Sequence, residues 1–161
     1  MIERLAALPP AGGRVWYFPG ATDCGAADIV ARVFRRDGTS WLACLARPEP
    51  DSHDGIFALP CGERVFIAGG VADRDHPGGW TPLPLEGPLR AAWSPDRTAI
   101  AFFNRTSVTV FGQSGHLWSA TLGSDATVSR VTDDAVECDV YDWVTGRPVT
   151  RRFDLRTGQP R

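Results

Sequence analysis

Residues 89–122 constrain the fold more than any other part of the chain. They read Leu89-Arg90-Ala91-Ala92-Trp93, then Thr98-Ala99-Ile100-Ala101-Phe102-Phe103, then Ser107-Val108-Thr109-Val110-Phe111, then His116-Leu117-Trp118-Ser119-Ala120-Thr121-Leu122. Ser94-Pro95-Asp96, Asn104-Arg105 and Gln113-Ser114-Gly115 separate these runs. Proline presets φ at the second position of a turn, Asp and Asn cap turn backbone, and Gly accepts positive φ. Short apolar runs divided by such turns form strands, not helices. The segment therefore predicts a four-stranded antiparallel meander. Ile100, Phe102, Val108 and Val110 are expected in its core.

The phrase Trp93-Ser94-Pro95-Asp96 at the first hairpin, with three short strands after it, resembles a WD40-like or TolB-like β-propeller blade. The resemblance covers about a quarter of the chain. It implies a sheet scaffold of the kind that serves mostly for interaction, and it implies no particular reaction.

Strand-like runs recur on either side, with turn signals spaced as in an all-β meander. They are expected at 14–18, 29–35, 40–46, 55–59, 63–68, 128–131, 136–143 and 149–155. Asp37-Gly38 and Cys61-Gly62 read as tight turns. Residues 2–8 are expected to make one or two helical turns before Pro9-Pro10, and 71–88 to form a long irregular loop. The frame Tyr141-Asp142-Trp143-Val144-Thr145-Gly146-Arg147-Pro148 recurs as Phe153-Asp154-Leu155-Arg156-Thr157-Gly158-Gln159-Pro160. It reads as a strand ending in a turn that Asp caps and Gly closes at positive φ. The expected architecture is a single all-β domain over 1–161, built of antiparallel meander sheets. These make a partial or small propeller, or alternatively a β-sandwich. Three blade-sized units (29–83, 84–122 and 125–158) fall short of the four or more blades of about 40 residues that a ring needs.

A net charge of -2 gives no field to steer nucleic acid or anionic membrane. All 17 cationic side chains are arginine. No run reaches the ~18 apolar residues of a membrane helix. The N-terminal segment lacks a signal-peptide pattern, so a cytoplasmic location is the expectation. Cys24, Cys44, Cys61 and Cys138 include no C-x-x-C pair, which removes zinc-ribbon and thioredoxin-type readings. Cys44 and Cys138 sit in apolar strand patterns and are expected to be buried thiols. A chain of this length does not require a disulfide.

No catalytic motif, cofactor fingerprint or metal-ligand spacing stands out. Asp51-Ser52-His53-Asp54 and Asp73-Arg74-Asp75-His76 are the loops that could serve a metal-assisted hydrolase, one alternative function. Cys24 in Asp23-Cys24-Gly25 could act as a nucleophile with His53 or His76, but a thiol in a turn is far more often inert. A lectin-like small-ligand domain is the other alternative. The leading expectation is a non-catalytic domain that binds another protein, one concrete form being a bacterial immunity-type inhibitor that blocks a cognate toxin. Its partner-binding residues are expected in the Pro-rich loop, with Trp80 as anchor, Leu83 and Leu85 beside it, and Arg74 and Arg90 as a charged rim. Asp133, Asp134, Glu137 and Asp139 form an acidic strand that is the second candidate surface.

Overall fold

The computed structural model describes residues 1–9, 14–18, 29–46, 55–85 and 89–161. It is all-β, with four small, mainly antiparallel sheets. The chain divides into two compact units, Met1–Ala58 with Gly62–Leu83, and Leu59–Cys61 with Pro84–Arg161.

The first unit holds two sheets. One contains β1 (Ile2–Leu5), β2 (Val15–Tyr17), β3 (Ile29–Phe34) and β4 (Ser40–Leu45), in the order β1-β3-β4-β2. β2 runs parallel to β4, and the other pairs are antiparallel. β1 overturns the expected helical turns at 2–8. Its four residues pair with β3 from Ile2↔Val33 to Leu5↔Val30, and Glu3 meets Arg32 across the pair at 3.1 Å. So short a segment cannot meet the cost of nucleating a helix alone, and the open β3 edge offers it a full ladder.

The second sheet of this unit is a meander of β5 (Ile56–Ala58), β6 (Arg64–Ile67), β7 (Gly70–Asp73) and β8 (Thr81–Pro82). β7 and β8 lie where a long loop is expected from the sequence. The β6–β7 hairpin closes through Ala68 at φ 47° and Gly69 at φ 77°. Two successive positive φ values match the twist of paired strands, so this tight turn brings Gly70–Asp73 back onto β6. Phe18, Ala31, Val33, Trp41, Ala43, Leu45, Ile56, Val65, Ile67 and Ala72 form the unit's core. The Trp41 indole N–H donates to the Arg74 carbonyl at 2.9 Å, joining the two sheets through a partly buried polar contact.

The second unit begins with the predicted meander: β9 (Arg90–Trp93), β10 (Ala99–Phe103), β11 (Ser107–Gly112) and β12 (Gly115–Thr121). The pairing order is sequential and every pair is antiparallel. All five residues of β10 are buried, and Ile100, Phe102, Val108 and Val110 are fully so. At the first turn Asp96 accepts the Ser94 hydroxyl at 2.6 Å and the Thr98 N–H at 3.0 Å. At the second, Asn104 accepts the N–H groups of Thr106 and Ser107. The Ser94 and Thr98 bonds hold the Asp96 carboxyl below its ordinary pKa, the Ser94 hydroxyl contributing most.

The last sheet, β13 (Thr127–Val131), β14 (Ala135–Asp142) and β15 (Arg147–Asp154), is three-stranded. It packs on the β9–β12 meander through one apolar core. Trp118 carries much of that packing. Its indole N–H donates to the Leu155 carbonyl at 2.8 Å and its ring lies 6.1 Å from Phe153.

Candidate functional site

The expected interface residues are placed by the structure as follows. Trp80 is half-buried and packs on the core of the first unit, with its ring 6.4 Å from Phe18. Its indole N–H donates to the Ile67 carbonyl at 2.9 Å. The ring lies so close on Gly70 that a Cβ there would come within 2.4 Å of it. Leu83 is half-buried and its N–H donates to the Gly69 carbonyl, so Trp80 and Leu83 flank the same hairpin. The Arg74 guanidinium donates to the carbonyls of Phe34 and Gly62. Its charge is engaged by backbone, not offered at a rim. Leu85 is half-buried and Arg90 is exposed at the start of β9; both belong to the second unit.

The Asp/His loops divide in the same way. Asp73 accepts the N–H groups of Asp75 and His76, which is turn capping. Asp75 pairs with Arg36 at 2.5 Å, and the Arg36 N–H and guanidinium hold its carboxyl below the ordinary range. Cys24, Pro88 and the 51–54 loop with His53 lie outside the described residues. His116 meets the Ser119 hydroxyl at 2.9 Å. Among the described residues no group of three or more His, Cys, Asp and Glu side chains stands close enough to hold a metal ion. Cys138 is a buried free thiol, pushed up to about 11 chiefly by burial. Cys44 departs from the expectation of a free thiol: it is disulfide-bonded, on a fully buried position of β4. An apolar strand pattern fits a half-cystine as well as a thiol, so the pattern alone could not separate them.

A different surface carries the exposed aromatic residues. Alternation along β14 turns Val136, Cys138 and Val140 into the core and puts Glu137, Asp139 and Tyr141 on the other face. Register extends that face sideways: Thr127 and Thr150 flank Asp139, and Pro148 sits opposite Tyr141. The β14–β15 turn then lifts Trp143 and Val144 into solvent. Asp142 shapes this turn by accepting the Val144 N–H at 2.9 Å and the Thr145 hydroxyl at 2.8 Å, and Gly146 closes it at φ 67°. Trp143 is 70% exposed, Val144 95%, Val149 44% and Tyr141 37%. Trp143 is not loose: its indole N–H reaches the Ser124 hydroxyl at 3.2 Å, and its ring meets Tyr141 edge to face at 4.7 Å. Asp125, Thr127, Asp139, Tyr141, Trp143 and Pro148 line a shallow hollow of about 480 Å³.

The internal repeat shows why this tryptophan is unusual. Asp154 caps the second copy of the turn through the N–H groups of Arg156 and Thr157, and Gly158 closes it at φ 69°. Leu155 stands in that copy where Trp143 stands in the first. Leu155 is buried, and its carbonyl receives the Trp118 N–H. The same frame thus supplies a core residue in one copy and an exposed aromatic in the other. The repeat and the acidic strand are legible in the sequence; the exposure of Tyr141 and Trp143 is not. The usable signal was a tryptophan in a turn position beside a strand of alternating acids.

Compared with known proteins, the chain matches no family model, no curated protein and no solved structure.

Proposed function

We propose that this chain is a non-catalytic protein-interaction domain, and that it works as an immunity-type inhibitor that covers the working surface of a cognate bacterial toxin. The observation that carries the reading is the Tyr141–Trp143–Val144 patch, held in place by a hydrogen bond and a ring contact yet left in solvent. Exposing a large aromatic forgoes about 1.5–3 kcal/mol of burial free energy per side chain. A pre-ordered Trp or Tyr loses little entropy on docking and supplies the anchor on which interfaces concentrate their affinity. The carboxylates around the patch would favour a basic partner and speed its encounter.

Trp80, proposed from sequence as the anchor, commits its N–H and one ring face internally, so Tyr141 and Trp143 take over that role here. The test is co-expression with the product of the adjacent reading frame. The reading expects a stable one-to-one complex by light scattering and relief of any growth arrest which that product causes. A product that neither associates nor is relieved, at concentrations tenfold above micromolar, contradicts it.

A further inference from the structure

We propose that the hollow beside Trp143 receives a cationic side chain of the partner, with arginine the best fit. This rests on the protein-interaction reading and names the chemistry its surface recognises. In the second unit Asp134 pairs with Arg152 and Arg161, Asp154 with Arg161, and Glu137 with Arg152. Asp96 and Asp142 cap turns. Asp125 and Asp139, both lining the hollow, take part in no ion pair among the described residues, and Asp139 accepts only the Thr150 hydroxyl, at 2.6 Å. Among the described residues no arginine forms an ion pair with either, including Arg130, which registers opposite Glu137 on the same side of the sheet. Arg147 registers opposite Asp142, and Arg151 registers opposite buried Cys138, on the face away from Asp139.

Two unpaired carboxylates therefore stand beside an exposed edge-to-face aromatic pair. A planar guanidinium suits both halves of that setting. It stacks on an indole face, and its five donors form charge-assisted bonds with carboxylates. A neutral side chain would gain only the ring contact. An acidic one would be repelled.

The probe is the tripeptide acetyl-Gly-Arg-Gly-amide, compared with the same peptide carrying citrulline, which keeps the shape and loses the charge. The readout is the indole N–H resonance of Trp143 in the whole chain. The expected result is a saturable shift with millimolar affinity for the arginine peptide. Citrulline should bind at least fivefold more weakly, as should the arginine peptide on Asp125→Asn or Asp139→Asn. Equal binding of the two peptides, equal binding by the carboxylate variants, or a saturable shift from methyl glucoside instead overturns the inference. The co-expressed partner separates this from the broader reading. If Trp143→Ser abolishes the complex while Asp125→Asn and Asp139→Asn leave its affinity unchanged, the cationic occupant is refuted and the interaction domain stands. If Trp143→Ser leaves the complex intact, both fall.

Discussion

Replacing Trp80 tests whether the Pro-rich loop is part of the first unit's core. The half-buried indole covers Gly70 and contacts the core around Phe18. If its packing removes ~100 Å² of apolar surface from water, burial contributes about 2.5 kcal/mol at ~25 cal/mol per Å². The bond from its N–H to the Ile67 carbonyl contributes about 1 kcal/mol net. Trp80→Ala should therefore cost about 3 kcal/mol, less than a fully buried aromatic because the surface above can settle into the gap. Trp80→Phe keeps most of the packing and loses the bond, so about 1–2 kcal/mol is expected. The assay is urea unfolding followed by circular dichroism, comparing midpoints at an unchanged denaturant slope. A loss under ~1 kcal/mol for the alanine variant would show that the ring is not supporting the core.

Three other outcomes are expected. Phe102→Ala, at a fully buried position in the centre of the β9–β12 meander, should cost about 3–5 kcal/mol, and a loss under ~1 kcal/mol would contradict that packing. Acid should destabilise the second unit: Asp96, Asp134, Asp142 and Asp154 all have folded pKa values below the ordinary 3.8, so their contribution is complete above that value and is lost as pH falls through the lowered values. A urea midpoint that stays level from pH 6 down to ~3 would refute this sign. Thiol titration of the unfolded chain should count more thiols after reduction than before, because Cys44 is disulfide-bonded while Cys61 and Cys138 are free; an unchanged count would contradict the Cys44 disulfide.

The parts of the fold legible in sequence are those fixed by local chemistry. Ser94-Pro95-Asp96, Asn104 and the two Asp-capped Thr-Gly turns form the bonds their residue types favour, and the strands between them follow. Elements fixed by pairing were not legible. β1 and β8 have no pattern of their own and exist because β3 and β7 present partners. The site was hidden for a related reason. Trp80 and Trp143 both sit in turn-rich sequence, and only the fold shows that one ring meets a glycine and a core while the other meets Ser124 and solvent. Leu155 and Trp143 occupy one frame, and nothing within either octapeptide says which has a sheet above it.

The exposed aromatic patch on the last sheet, Tyr141, Trp143 and Val144, is the proposed binding surface. The direct measurement is calorimetric affinity for the co-expressed partner, paired with urea stability, for the Tyr141→Ser/Trp143→Ser double variant. Stability within ~1 kcal/mol of the parent and affinity reduced by at least ~2 kcal/mol, about thirtyfold, are expected. Unchanged affinity in a folded variant would contradict that assignment.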